Sequence, residues 1–343
     1  LSSKSYSQWV KAREKKDYKL FAPFMEKLIK MKKEEANLIN SKANAYDLIV
    51  DDFETGMTQA TIDPVFQELR DGIIALLSQI KRSKKYKTQK NILIKLDFPA
   101  DKQMQICKEI IQLMLQEDKR YKVAESVHPF TTRLSYDDVR LTTAYRKGMP
   151  LFSFTSASHE AGHALYELGM DKKLKFTGLQ DSPSFGLHES QSRLWENQIM
   201  RGEDFWKGYY SKYQKTFPAL KKMKFQEFFF QSNQVKPSLI RIECDELTYC
   251  LHVIIRYELE KQIFKGEIKT KDLEQAWNNK YHEYLGVTPK HATEGILQDV
   301  HWAEGIFGYF PTYAIGTLYS AMLCEQMQKD IPTLKKELRK GNI

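Results

Sequence analysis

The sequence TSASHEAGHALY, residues 155–166, contains the pattern His-Glu-x-x-His near the middle of the chain. On a helix, residues four apart lie on the same face, so His159 and His163 can present two imidazoles to one ion. Glu160 points aside and is free to act as a general base on a metal-bound water. The pattern predicts a metal-binding helix with a catalytic carboxylate. The alternative is a surface histidine pair on an ordinary helix.

A third ligand must come from outside this helix, because a catalytic zinc usually has three protein ligands and one open position. The sequence HESQS, residues 188–192, begins a strongly helical run after a loop that contains Pro183 and Gly186. A glutamate in the first turn of a second helix could face the first helix, so Glu189 is the predicted ligand. His188 is the competing ligand, and a glutamate favoured at a helix start by the helix dipole is the structural alternative.

Apolar residues at helical spacing predict that most of the chain is helical. Asp63 and Pro64 have the residue types of a helix cap and first turn. The predicted helices cover about 5–41 with a break near Pro23, 63–80, 101–119, 156–168, 189–213, 225–233, 239–264, 270–284 and 313–328.

Residues 123–151 instead contain short alternating runs, which predict a small antiparallel β-sheet beside the metal helix. With no internal repeat and no low-complexity linker, a mainly α single domain with a minor sheet is expected.

The bulk composition is that of an ordinary globular protein, with 42% hydrophobic and 28% charged residues among 343. No stretch has the roughly 18 consecutive apolar residues that a membrane helix needs, and the first residues have no signal-peptide core. The four cysteines are scattered without a Cys-x-x-Cys pair, which favours free thiols and a cytoplasmic location.

The net charge of +9 raises the question of nucleic-acid binding. The lysines are interleaved with glutamates along helical stretches, and no basic stripe with stacking aromatic residues occurs. Solvated helix faces are therefore the favoured interpretation, and neither nucleic acid nor membrane is an expected partner.

Three further polar clusters lie in apolar surroundings. Asp138, Arg140 and Thr142 alternate and would share one face of a strand. Arg241 and Asp245 are four apart in a predicted helix and could form an ion pair that lines a cavity. Residues 295–302 (GILQDVHW) and 308–313 (GYFPTY) form a third, polar–aromatic cluster.

Six motifs occur in this order: His128-Pro-Phe130, Asp138-x-Arg-x-Thr142, His159-Glu-x-x-His163, His188-Glu-Ser-Gln191, Ile240-Arg-x-x-x-Asp245 and Gly295-x-x-Gln-Asp-x-His-Trp302. Together they resemble the thermostable (Taq-type) metallocarboxypeptidase family over at least residues 128–313. Cys244 departs from the alanine more common there. Members of that family are longer at both ends, so residues 1–343 are expected to be one catalytic domain that lacks part of both termini.

The resemblance implies a helix-rich, gluzincin-like fold with a deep active-site groove. It also implies a homodimer, zinc (or cobalt) as the metal, and removal of single residues from peptide C-termini with broad specificity.

In this interpretation the metal is held by His159, His163 and Glu189, and Glu160 is the general base. A carboxypeptidase must also bind a free carboxylate. Arg241 is the first candidate because a guanidinium matches a carboxylate in a two-pronged fork. Arg140 is less favoured, since Asp138 lies on the same strand face and could occupy it.

Oxyanion stabilisation needs a hydrogen-bond donor, and His301, Tyr309 and Tyr313 are the candidates. The alternatives are an endopeptidase or dipeptidase with the same metal centre, a non-catalytic metal-binding protein and, more distantly, a nucleic-acid binder.

Overall fold

α-Helices dominate the chain, which confirms the predicted mainly α fold with a small sheet. The computed structural model describes residues 1–116, 118–126, 128–146 and 149–343. Helix makes up 64% of the structure, and the described residues form fifteen helices. Among these residues, no helix is both long and apolar enough to cross a bilayer.

The helices are α1 (Ser2–Lys15), α2 (Ala22–Ile39), α3 (Ala45–Asp51), α4 (Gln59–Arg82), α5 (Lys84–Thr88), α6 (Ala100–Leu115), α7 (Pro150–Leu168), α8 (Phe185–Arg193), α9 (Glu203–Thr216), α10 (Phe225–Ser232), α11 (Tyr249–Lys265), α12 (Leu273–Leu285), α13 (His301–Glu304), α14 (Pro311–Asp330) and α15 (Leu334–Lys340).

In the first hundred residues, two predicted helix boundaries are wrong for local reasons. α1 ends at Lys15, because the backbone of Lys16 adopts the left-handed conformation (φ 54°), and Pro23 falls in the first turn of α2. α4 begins four residues before Asp63, because Thr58 and Thr61 form a reciprocal capping box. Pro64 is then an interior residue of α4.

The sheet consists of β1 (Tyr121–Glu125), β2 (Thr131–Ser135) and β3 (Asp138–Thr143), in the order β1–β3–β2. β2 and β3 pair antiparallel, as predicted, but β1 pairs parallel with β3. The sheet is therefore mixed rather than wholly antiparallel. Val139 and Leu141 of β3 are fully buried, and β3 packs against α7, which confirms the predicted position of the sheet.

The residues group into two compact units. Unit 1 comprises Leu1–Lys87 and Val235–Ala314, and unit 2 comprises Thr88–Gln234 and Ile315–Ile343. The single-domain organisation and the groove expected from the sequence stay predictions.

Unit 2 is built around α7, which packs against α6, α8 and the sheet. Its core is rich in aromatic side chains: Phe154 of α7 lies 5.0 Å from Trp206, which in turn lies 4.8 Å from Phe228, between ring centroids. Burial of such large rings contributes roughly 1.5–3 kcal/mol each to the free energy of unfolding. This core packs against one side of α7, and the histidines of α7 lie on a different side of the helix.

Unit 1 is built around α11, which is buried on nearly all sides. Its fully buried polar residues are four apart: His252, Arg256 and Glu260. Residues at this spacing lie along one face of a helix, so α11 carries a polar stripe through an apolar interior. Such a stripe is stable only if every group has a partner.

Glu260 finds three donors. Its carboxylate accepts hydrogen bonds from the Tyr46 hydroxyl (2.7 Å), Trp302 Nε1 (2.5 Å) and the Gly308 backbone N–H (2.9 Å). Burial raises the pKa of Glu260 to about 7, although these donors oppose the shift. Glu260 therefore ties α11 to the segment that carries His301 and Tyr309.

The contact between α9 and α15 gives a test of the packing. A Cβ at Gly208 would lie 2.6 Å from the carbonyl oxygen of Leu338, which is backbone and cannot turn away. We expect Gly208→Ala to lower the free energy of unfolding by about 1–3 kcal/mol. Gly72→Ala is the control, because a Cβ on this exposed part of α4 meets nothing within 4 Å. It should raise the free energy of unfolding by about 0.5–1 kcal/mol. Equal effects in urea unfolding would contradict the packing argument.

Candidate metal centre

α7 presents His159 and His163 on one face, as the spacing predicts. Their ring centroids are 4.8 Å apart, and both side chains are partly exposed. Ala157, Ala161 and Ala164 on the opposite side are fully buried. The apolar residues of the motif therefore anchor α7 in the core and direct the two imidazoles outward.

The backbones of α7 and α8 are in very close contact at Gly162. A Cβ at this position would lie 2.7 Å from Cα of Ser192 and 2.8 Å from the carbonyl oxygen of Gln191. A Cβ at Gly316 of α14 would lie 2.8 Å from Cβ of Glu189. Glycine is needed at both positions for α8 to approach, and this approach brings Glu189 to the histidines.

Glu189 lies in the second turn of α8, since that helix starts earlier than predicted, at Phe185. Its Oε2 is 3.7 Å from His159 Nε2 and 3.3 Å from His163 Nε2. Two donors on one tetrahedral ion at about 2.1 Å are about 3.4 Å apart. The three residues form a group whose ligand atoms all lie within 4.8 Å of one another, so they fit a single divalent ion.

The protonation of this group shows strong coupling. Burial alone would lower the pKa of His159, but the Glu189 and Glu196 carboxylates raise it to about 9. The two histidines hold the pKa of Glu189 at about 2 against the effect of burial. Burial keeps the pKa of His163 below its usual value. When no ion is bound, a protonated His159 therefore faces the ionised Glu189.

Glu196 is a third acidic residue at this centre, after Glu160 and Glu189, and no sequence motif pointed to it. Its Oε2 lies 2.9 Å from His159 Nδ1 and 2.9 Å from Nη1 of the buried Arg193. Burial would raise the pKa of Glu196, but Arg193, His159 and Arg201 hold it well below its usual range. The available signal was the placing of Glu196 between Arg193 and Arg201 in one helical run.

His188, the competing ligand, is directed elsewhere. Its Nε2 lies 2.8 Å from Oε1 of Glu167, and Arg133 pairs with the other oxygen of that carboxylate at 2.8 Å. The His188 ring stacks on the His163 ring, with centroids 4.5 Å apart and planes 23° apart. The structure therefore groups Glu189, and not His188, with the two α7 histidines.

Glu160 is buried beside the histidines. The Thr131 hydroxyl of β2 lies 2.7 Å from Glu160 Oε2 and 3.0 Å from its backbone oxygen, and it donates its single proton to one of them. The small sheet therefore fixes the side chain of Glu160. No sequence pattern pointed to Thr131, because the pairing joins residues 29 apart.

Arg140 lies on β3 in the same unit. Its Nε and Nη2 donate to both oxygens of Asp138, at 3.0 and 2.8 Å, and more than half of its side chain is exposed. The expected occupation of Arg140 by Asp138 is observed.

Arg241 belongs to a buried cluster in unit 1, but its predicted partner is wrong. Residues 241–243 form a single 3₁₀ turn and α11 starts only at Tyr249, so Arg241 and Asp245 do not share an α-helix. Arg241 Nε and Nη2 instead both donate to one oxygen of Asp299, at 3.2 and 2.8 Å. Asp245 accepts from Thr248.

Asp299 also pairs with a second guanidinium, that of the fully buried Arg256, at 2.7 Å. Although burial acts in the opposite direction, the two arginines hold the pKa of Asp299 well below its usual range. One carboxylate facing two guanidinium groups leaves this cluster with a net charge of +1. Glu260, four residues after Arg256 on α11, also interacts electrostatically with Arg256, and the pKa of its carboxyl is raised to about 7 by burial.

His301 lies next to this cluster and stays neutral. Burial and the neighbouring arginines lower its pKa to about 4, despite Asp299. Its Nε2 is 3.2 Å from the Tyr313 hydroxyl, and its ring stacks on Tyr309 with centroids 5.6 Å apart. The structure thus groups Arg241, His301, Tyr309 and Tyr313 in unit 1, and His159, Glu160, His163 and Glu189 in unit 2.

Two histidines four apart on one helix, with a glutamate from the next helix and a second glutamate after the first histidine, define the site of a metallopeptidase. The profile of the Carboxypeptidase Taq (M32) metallopeptidase family matches residues 1–343. The chain belongs to this family.

Individual relatives agree with this assignment. Carboxypeptidase 1 of Bacillus subtilis is 42% identical over 100% of this chain and 68% of its own length, and Thermostable carboxypeptidase 1 of Thermus thermophilus is 36% identical over 99% and 68%. A solved structure of Pyrococcus furiosus carboxypeptidase superposes with a TM-score of 0.95 at 35% identity, over 99% of this chain and 69% of that one. The chain thus spans about two thirds of the length of these proteins. Membership identifies it as a metallocarboxypeptidase, a peptide hydrolase that depends on a divalent metal ion.

The close contact at Gly162 predicts a selective loss of metal binding. Gly162→Ala should push α8 away from α7 and displace Glu189, so we expect the metal dissociation constant to rise by at least 10-fold. Competition with a chromophoric chelator measures this constant. Gly72→Ala adds the same methyl group on α4 and should leave it unchanged. A Gly162→Ala protein with wild-type metal affinity would show that the contact does not control the position of Glu189.

Proposed function

We propose that the protein is a zinc carboxypeptidase that removes single amino acids from free peptide C-termini with broad specificity. The observation that carries the proposal is the group of His159, His163 and Glu189, with Glu160 held beside it. Nitrogen and carboxylate donors in a set of three suit Zn²⁺, and Co²⁺ is the expected substitute. When bound, the ion supplies a Lewis acid and a water of lowered pKa.

Glu160 is the proposed general base. It accepts the proton of the attacking water and later delivers a proton to the leaving amine. The bond from Thr131 supports this role, because it fixes one carboxylate oxygen and leaves the other to face the water. A purely structural metal site has no use for such a positioned carboxylate.

Arg241 is the proposed binding group for the substrate's C-terminal carboxylate. The net charge of +1 on Arg241, Arg256 and Asp299 supports it, since a carboxylate would neutralise the cluster. Asp299 and the Tyr249 hydroxyl, 3.3 Å from Nη1, hold the guanidinium in one orientation. An arginine that is already fixed loses little conformational entropy when it binds its ligand.

The oxyanion donor is proposed to be His301 together with Tyr309 or Tyr313. A neutral imidazole carries one N–H, and its hydrogen bond with the Tyr313 hydroxyl links the donor roles of the two groups. The hydrogen bond with Tyr313 and the stack on Tyr309 hold the His301 ring, so its donor would already be in position when negative charge develops on the substrate oxygen.

The remaining proposals come from the family resemblance and the composition. We propose a homodimer that acts on peptides in the cytoplasm. The four cysteines are free thiols in the structure, which fits a reducing compartment.

The role of Glu160 predicts a separation of metal binding from turnover. Glu160→Gln keeps the shape and the bond to Thr131 but removes the base, so kcat should fall by about 10²–10⁴-fold at unchanged zinc content. The assay follows release of residues from one unmodified peptide by mass spectrometry, before and after removal of metal with a chelator. Wild-type protein should release single C-terminal residues in sequence. Internal cleavage would favour the endopeptidase. Release of residue pairs, or cleavage of dipeptides alone, would favour the dipeptidase. The absence of any cleavage would favour a non-catalytic metal-binding protein.

The role of Arg241 predicts discrimination between a free and an amidated C-terminus. Arg241→Lys keeps the charge but loses the planar guanidinium, whose Nη1 and Nη2 each keep a second proton for a carboxylate while bonded to Tyr249 and Asp299. It should lower kcat/KM on the free peptide by about 10–100-fold and have little effect on the slow reaction of the amidated peptide. Arg140→Ala is the matched control and should change neither rate. A loss in Arg140→Ala with none in Arg241→Lys would transfer the carboxylate-binding role to Arg140.

A further inference from the structure

We propose that Glu196 is a positioning residue for the metal centre: it holds the His159 ring so that Nε2 is presented to the ion. The inference rests on the proposed ligand set of His159, His163 and Glu189. It concerns a residue that lies outside that set and outside the motifs of the sequence.

The two carboxylates that face His159 come from one continuous helical stretch. Glu189 and Glu196 are seven residues apart, and seven residues return to nearly the same side of a helix. The His159 ring from α7 lies between them, with Nε2 3.7 Å from Glu189 and Nδ1 2.9 Å from Glu196. Each nitrogen of the ring therefore faces its own carboxylate.

Glu196 is placed by an unusual turn. Residues Leu194–Ile199 are π-helical, with backbone N–H groups of Met200 and Arg201 donating five residues back, to Trp195 and Glu196, at 2.9 and 3.1 Å. π-Turns are rare within α-helices and occur frequently at functional sites. This turn directly follows α8, which carries the proposed ligand Glu189.

Two arginines keep Glu196 in place. Arg193 Nη1 lies 2.9 Å from Oε2, and Arg201 Nη2 lies 3.7 Å from Oε1. Arg193 is itself held, because its Nε donates to the Thr317 hydroxyl at 3.4 Å. Glu196 is thus a fixed acceptor, and a fixed acceptor at Nδ1 makes that nitrogen the N–H and leaves the Nε2 lone pair for the metal.

The two proposed histidine ligands differ in this respect. Within the described residues, Nδ1 of His163 is buried without a hydrogen-bond partner, and the His163 ring is supported by stacking on His188. The carboxylate that supports a ligand nitrogen directly is therefore that of Glu196. Loss of such a partner typically weakens metal binding 10–100-fold.

The test measures the dissociation constant of Zn²⁺ by chelator competition and the visible absorption of the Co²⁺-loaded protein. Glu196→Gln keeps an acceptor oxygen but loses the charge, and should weaken Zn²⁺ binding about 10-fold. Glu196→Ala loses both and should weaken it about 100-fold. Both should shift the Co²⁺ absorption bands, which a loss of general stability would not do in the folded protein.

Asp118→Asn is the matched control, because it removes a partly buried, arginine-paired carboxylate of the same unit, whose partner is Arg120 and not a histidine. Its Zn²⁺ affinity should stay within 3-fold of wild type. Wild-type affinity and an unchanged Co²⁺ spectrum in Glu196→Gln and Glu196→Ala would overturn the proposal, as would an equal loss in Asp118→Asn. If Glu196→Ala does not fold, Glu196→Gln decides. His159→Ala tests the ligand set separately: unchanged affinity there would reject the set itself.

Discussion

The contact between the α7 and α8 backbones is the constraint on which the metal centre depends. Gly162 leaves no room for a side chain against Ser192, so the two helices approach at backbone distance. This approach sets the separation of Glu189 from the histidine pair, and an ion can bridge only donors a few ångströms apart. Gly316 of α14 likewise leaves no room for a side chain, in this case against Glu189. The geometry of the centre therefore depends on the absence of a side chain at Gly162 and Gly316 as well as on the donor residues.

The residues of the centre that can be predicted from the sequence are those placed by the geometry of a single helix. His159, Glu160 and His163 follow from helical spacing alone, and Glu189 from a helix start at a suitable distance. Thr131 and Glu196 could not be predicted, because their contacts join residues 29 and 37 positions apart and depend on packing. The same limit explains the wrong partner of Arg241. Its observed partner, Asp299, is 58 residues away in the sequence. Asp245 is predicted from i,i+4 helical spacing, but the segment between Arg241 and Asp245 is not an α-helix.

The fold shows a similar division. Apolar periodicity predicts most helices, because burial of one face is a property of each segment by itself. It does not predict the left-handed residue at Lys16, the π-turn at Leu194–Ile199 or the parallel pairing of β1 with β3. These features depend on how distant segments meet. The unbroken helix predicted over residues 189–213 is in fact three segments, and the middle one carries Glu196.

The spacing of Glu189 and Glu196 has a consequence for how this region can change. Each residue of an α-helix turns the chain by about 100°, and each residue of the wider π-turn that carries Glu196 turns it somewhat less. Deleting or inserting one residue between positions 189 and 196 would rotate one carboxylate away from the imidazole while the other stayed in place. Point substitutions at the apolar positions of this stretch keep the register, whereas changes of length do not. The number of residues between Glu189 and Glu196 is therefore fixed by the site, and variation in length is expected only in the loops on either side of this segment.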